Sequence, residues 1–273
     1  MMQSVNAIKK NLNSMRAAIY ALMLRNIEEN FIVSSNPNRL RDLLRIFLEP
    51  VAHVALWSMI KSFRYKDLEN ELDTSLFILL GVLPWLFTHG SIANSLNIIK
   101  KNKALLCFKQ IKLMDPVIAL LLSELITITF VFCISLLVFY FLEIEWRLED
   151  PLCWFFALLF YVLTVMGLAF FVSCLAFFSK NIGKFFSAIL RSMYLFSGIF
   201  FSARMLSPDW SQYLTYNPLF QFIELSRSAF SNEPLNTDVG LSVLAHSALV
   251  CMFIGLGTYT LLRKKIMTEI MND

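Results

Sequence analysis

Two runs in this chain are too apolar and too long to be soluble helices. Residues 151–178 contain no charged side chain, and residues 116–142 contain one, Glu124. A helix needs about 20 apolar residues to cross roughly 30 Å of hydrocarbon. Hydrocarbon offers the backbone no hydrogen bonds, so such a run has to be a helix, which satisfies its own. Continuous rather than alternating hydrophobicity excludes barrel strands. Once these runs are accepted, four more qualify: residues 43–63, 75–96, 185–203 and 239–262. The first is the weakest, being interrupted by Glu49 and His53. Composition agrees: 57% of the 273 residues are hydrophobic and 16% charged, against about half and a quarter in soluble domains.

The charges between the runs set an orientation. Lys9, Lys10, Arg16, Arg25, Arg39 and Arg41 precede the first run; Lys100, Lys101, Lys103, Lys109 and Lys112 follow the second; Lys180 and Lys184 follow the fourth; Arg263, Lys264 and Lys265 follow the last. The intervening connections carry Asp67, Glu69, Glu71 and Asp73, then Glu143, Glu145, Glu149 and Asp150. Cytoplasmic loops collect lysine and arginine. Six spans with both termini inside are therefore expected, in an all-α integral membrane protein. No cleavable leader is evident, so the first span is expected to serve as the insertion signal.

Two segments fall outside the spans. Residues 5–25 place Ile8, Leu12, Met15, Ile19 and Leu22 at helical spacing, as in an amphipathic helix lying on the cytoplasmic membrane surface or packed on a partner. The outer connection, residues 204–238, is too apolar for a free loop and too broken for a span. Two short helices half-inserted from the outer face fit it, with Asn217 as cap and Pro218 in the first turn of the second. The expected divisions are 1–42 for the interface helix and linker, 43–262 for the transmembrane domain and 263–273 for a cytoplasmic tail.

Local catalytic signals are missing. No P-loop, H-E-x-x-H or G-x-S-x-G occurs, and the five cysteines form no C-x-x-C pair. No nucleic-acid partner is indicated. Ionisable groups inside spans are functional candidates by default. Here they are Glu49, Glu124 and Arg191, with interfacial placement, a structural hydrogen bond and snorkelling as their respective alternatives. Residues 97–115 mix Leu105, Leu106, Phe108 and Ile111 with lysines. Either this is a positive-inside loop, or a short helix offering apolar anchors to a groove on a partner.

These stretches together are identified as those of a known family. Residues 48–60 (LEPVAHVALWSMI), 81–87 (GVLPWLF), 102–116 (NKALLCFKQIKLMDP) and 197–230 (SGIFFSARMLSPDWSQYLTYNPLFQFIELSRSAF), with the order of spans, resemble the membrane permease of capsular polysaccharide exporters within the ABC-2 exporter family. The resemblance implies a homodimer in the bacterial inner membrane, paired with a separate ATPase that holds the ATP and magnesium; this chain itself holds no cofactor. It implies a coupling helix carried by Lys103, Leu105, Leu106, Phe108, Lys109 and Gln110. It implies short outer-leaflet helices, around Trp210–Phe230, that gate the exit. The cargo would be a lipid-linked polysaccharide, handed from cytoplasm to a periplasmic adaptor or co-polymerase and an outer-membrane channel. Candidate path and gate residues are Glu49, Trp57, Trp85, Arg191, Trp210, Tyr213, Tyr216, Asn217 and Arg227, with Tyr194 a further aromatic. Interfacial anchoring explains the tryptophans and tyrosines equally well, and an ion pair with Glu224 explains Arg227. Competing readings are an ABC-2 exporter of O-antigen, teichoic acid or drug, an ion-coupled carrier, and a membrane enzyme. The scarcity of intramembrane charge weighs against the last two.

Overall fold

The computed structural model describes residues 2–32, 51, 52, 56, 72–108, 110–205, 210, 213–231 and 239–272. Its elements are α1 (Met2–Ile32), α2 (Thr74–Lys101), α3 (Lys103–Leu106), α4 (Asp115–Phe141), α5 (Pro151–Phe178), α6 (Lys180–Phe196), a 3₁₀ turn (Ala203–Met205), α7 (Pro218–Ala229) and α8 (Leu241–Asn272). Among the described residues there is no strand. Four helices, α2, α4, α5 and α8, are long and apolar enough to cross a membrane. The expected span at 43–63 lies outside the described residues except at 51, 52 and 56.

Helix starts follow from short polar side chains placed before apolar runs. Asp73 accepts from Ser75 N (2.7 Å) at α2, Asp150 from Cys153 N (3.0 Å) at α5, Ser179 from Asn181 N (3.3 Å) at α6 and Asn217 from Leu219 N (3.0 Å) at α7. Pro116, Pro151 and Pro218 occupy first-turn positions, where a missing N–H leaves nothing unsatisfied.

One expectation needs correction. The fifth run does not begin at residue 185. Ser179 caps a helix from Lys180, which stops at Phe196, because Gly198 takes φ +81° and turns the chain. Residues beyond Gly198 therefore leave the helix. A Cβ at Gly198 would lie 2.5 Å from the Phe220 ring, so that turn needs glycine sterically as well. The segment expected as a cytoplasmic tail, 263–273, begins in helical form. α8 runs on through Arg263–Lys265, since those residues are good helix formers. Ile266 and Ile270 are buried one turn apart.

α2 is the central element. It packs on α4, α5 and α7, and Leu76–Leu80, Val82 and Leu83 are buried. α5 packs most extensively on α8, at a crossing with no room for side chains. A Cβ on Gly167 would sit 2.6 Å from Met252 N, and one on Gly255 would run into the backbone of Gly167. Small residues let helix backbones approach this closely where apolar burial gives no drive between helices. The outer face of α8 leaves Leu249, Val250, Phe253 and Leu261 exposed.

Like charges gather at one end of the bundle. Arg25 Nη2 donates to Asn102 Oδ1 (2.6 Å), Lys100 Nζ to Ala176 O (3.4 Å), and Lys265 Nζ lies 4.9 Å over the Phe178 ring. At the other end, Glu149 N and Asp150 N donate to Ala229 O (2.8 and 3.2 Å), which joins the acidic connection to α7.

Candidate functional site

At the basic end the chain turns from α2 to α4 through the single-turn α3. Asn102 makes the join: its Nδ2 donates to Ile98 O (2.8 Å), its carbonyl receives Leu105 N and Leu106 N (3.0 Å each), and its Oδ1 receives Arg25. Asp115 Oδ2 accepts from Lys112 N (2.8 Å) and closes the far side. The expected apolar anchors divide. Leu106 is buried in the bundle core, Leu105 and Lys103 are half-buried, and Phe108 is 63% exposed beside exposed Gln110. One turn of helix cannot present every side chain outward, so Leu106 belongs to the core and Phe108 to the surface. Lys109 lies outside the described residues, as do Glu49 and Trp57.

At the acidic end α7 is almost wholly enclosed, by α2, α5, α8 and the chain after Gly198. Arg227 lies inside. Its Nη1 donates to Glu224 Oε1 and Phe201 O (3.0 Å each), and its Nη2 to Ile199 O (3.0 Å) and Phe77 O (3.3 Å). The guanidinium carbon stands 3.4 Å from the Phe77 ring centroid. Burial pulls the Arg227 pKa down to about 10, and the adjacent Glu224 carboxylate opposes that shift. Glu224 Oε2 accepts from Ser202 Oγ (2.9 Å) and Ala203 N (3.2 Å). Gly81 makes space: a Cβ there would fall 3.1 Å from Arg227 Nη2. The ion pair read from the i, i+3 spacing is thus present and buried, and it locks α7 to α2. Gln221 adds a second tie, donating to Thr215 O (2.7 Å) and accepting from Gly240 N (3.1 Å). Asn217, besides capping α7, donates to Phe196 O (3.4 Å).

The aromatic candidates fall into two groups. Trp85 stacks on His89 (4.9 Å between centroids) and meets Tyr194 edge-on (4.5 Å), which continues to Phe200. This joins α2 to α6 midway along the bundle. Trp210, Tyr213 and Tyr216 are 65%, 69% and 80% exposed and share no ring contact among the described residues. Arg191 is exposed on α6, at a cavity on the basic end. Glu124 accepts from Asn94 Nδ2 (2.9 Å) and borders a cavity of about 160 Å³ with Asn26, Asn97 and Lys101, which answers to the structural hydrogen bond weighed for it.

Sequence reasoning missed Tyr161. Buried in α5, it donates to Pro84 O (2.8 Å), pairs with Thr88 Oγ1 and stacks on Phe222 at 4.3 Å. Pro84 interrupts the hydrogen-bond ladder of α2, and Tyr161 braces that point against α7. A lone tyrosine within an uncharged span facing a span with an internal proline was the available signal.

Comparison with known proteins places this geometry. The chain is 30% identical over 259 residues to the polysialic acid transport protein KpsM of Escherichia coli, covering 93% of this chain and 96% of that protein. It is 23% identical over 254 residues to the capsule polysaccharide export inner-membrane protein CtrC of Neisseria meningitidis serogroup B, covering 90% and 91%. It is 23% identical over 223 residues to the O-antigen export system permease protein RfbA of Klebsiella pneumoniae, covering 80% and 84%. Residues 32–231 match the ABC-2 type transporter family, a stretch that takes in the α3 turn, the glycine crossing partner Gly167 and the whole Arg227 clamp. With its apolar helices and its two polar ends, this chain belongs to the ABC-2 type transporter family.

Proposed function

We propose that the chain is the transmembrane permease subunit of an ATP-driven exporter, moving lipid-linked capsular polysaccharide from cytoplasm to periplasm across the inner membrane. The carrying observation is the near full-length similarity to a polysialic acid transport protein. In this reading the protein works as a homodimer with two copies of a separate ATPase, which holds ATP and magnesium. The chain makes six spans with both termini inside, and the α7 region is re-entrant from the outer face. Delivery continues to a periplasmic adaptor and an outer-membrane channel.

The geometry suggests how force travels. α2 has 28 residues, about 42 Å at 1.5 Å per residue. Its far end is clipped to α3, whose exposed Phe108 suits a groove on the ATPase. Its near end, at Phe77, holds Arg227 of α7. A push on α3 therefore reaches α7 through one helix, and Tyr161 stiffens the single weak point, at Pro84.

The test is genetic and biochemical. Deleting the gene should strip polymer from the cell surface and leave it in the cytoplasm, with this chain and its ATPase together restoring export. Export that persists after ATP depletion but fails when the proton gradient collapses would instead indicate an ion-coupled carrier. O-antigen is the second cargo to try, given the similarity to an O-antigen export permease.

A further inference from the structure

We propose that the cleft between the basic ends of α2, α5 and α6 binds the phosphate of a net-anionic membrane-lipid headgroup. The site goes beyond the export reading but rests on its orientation, with the basic end at the inner leaflet. The cleft holds about 350 Å³ and is lined by Asn97 and Lys100 from α2, Ser179 at the end of α5, and Lys184, Ser187 and Arg191 of α6. One water occupies about 30 Å³ of liquid, so there is room for a phosphodiester with part of its alcohol.

Its chemistry has one sign. Three cations line it and no carboxylate does. Among the described residues neither Lys184 nor Arg191 meets a carboxylate. Lys184, Ser187 and Arg191 stand at i, i+3 and i+7, one face of α6, with the Ser187 hydroxyl donating to Gly183 O (2.8 Å) so that the two cations are the donors there. Helical side chains lean toward the N-terminus, so Arg191 reaches back along that face toward Lys184. Lys100 spends one ammonium proton on Ala176 O at 3.4 Å and keeps two. Ser179 Oγ accepts from Asn181 N, which leaves its own proton to donate. The first backbone N–H groups of the 17-residue α6 open at the same place. Three like charges in one cleft repel one another, and an anion is what relieves them. A phosphate ester, with several acceptor oxygens and a fixed negative charge, matches this donor set. The oxygen source is either a bilayer phospholipid or a soluble phosphoester.

The full chain in nanodiscs of phosphatidylcholine doped with phosphatidylglycerol tests this by native mass spectrometry. Phosphatidylglycerol should be retained preferentially. K184Q/R191Q should lose it, about thirtyfold in apparent affinity, from roughly fivefold per cation near the bilayer surface, while K264Q should behave as wild type. Competition by inorganic phosphate or glycerol phosphate at equal concentration would assign the soluble source; resistance to both would assign the lipid. Should the double variant fail to fold, a headgroup-photoreactive phosphatidylglycerol is crosslinked to the wild-type chain. Its adducts should map to peptides spanning 96–100 or 176–191. Equal retention of phosphatidylcholine, unchanged retention in a folded K184Q/R191Q, or adducts confined elsewhere would overturn the proposal. The assay uses neither ATPase nor transport, so its failure leaves the export reading standing.

Discussion

Replacing Arg227 by Met removes the centre of the α7 clamp while keeping much of its bulk. The guanidinium makes four hydrogen bonds within 3.3 Å, to Glu224 and the carbonyls of Phe77, Ile199 and Phe201, and the residue is only 5% exposed. Deleting one member of a buried ion pair costs about 3–5 kcal/mol, mostly because the other charge is left uncompensated. Each kcal/mol moves the midpoint by about 2–4 °C in chains near this size. Arg227→Met should thus lower the melting midpoint by roughly 6–20 °C, read by fluorescence-detected size exclusion after heating in detergent. Glu224→Leu should fall in the same range. The double variant has no stranded charge, so its loss should be smaller than the sum of the singles by at least about 1 kcal/mol. Arg227→Lys keeps the charge but not the planar fork or the stacking on Phe77, and should recover only part of the loss. Single variants that melt within about 2 °C of wild type, or a strictly additive double, would refute the clamp.

Other parts of the fold carry their own expectations. Gly167→Leu should abolish a monodisperse peak, since its Cβ alone meets the α8 backbone, whereas Gly257→Ala, with nothing within 4 Å, should be neutral or gain up to about 1 kcal/mol. Tyr161→Phe should cost about 1–3 kcal/mol, because it removes the donor to Pro84 O and the partner of Thr88; the same thermal assay reads it. Phe108→Asp should leave folding intact and lose co-purification of the ATPase, by roughly 2 kcal/mol or thirtyfold in affinity if the ring is a buried anchor. Leu106→Asp, by contrast, should fail to fold.

Much of this architecture is legible in the residues. The uncharged run 151–178 coincides with α5, and 116–142 differs from α4 by one residue at each end, because a first-turn proline marks where each begins and Asp150 caps α5 as well. Asn217 and Pro218 announce α7 in the same way. Less legible were features created by contact between segments. The end of α6 depends on Gly198 meeting Phe220, and hydropathy alone runs straight through it. The burial of Leu106 depends on which side of a single turn faces the core, and a periodicity of four residues cannot decide that. Arg227 and Glu224 were readable as a pair by spacing, but not their carbonyl partners on two distant segments. Lys184, Ser187 and Arg191 share a helical face that spacing does reveal, yet Lys100 joins them only once α2 and α6 are packed together.

Export by this mechanism requires the two ends of the bundle to face different compartments, with α3 toward the ATPase. In a background free of the five native cysteines, single cysteines at Gln110 and at Glu145 report on this directly, using a membrane-impermeant maleimide on intact spheroplasts. Glu145→Cys should label at once, and Gln110→Cys only after the membrane is opened. Immediate labelling at Gln110, or equal labelling at both positions, would contradict it.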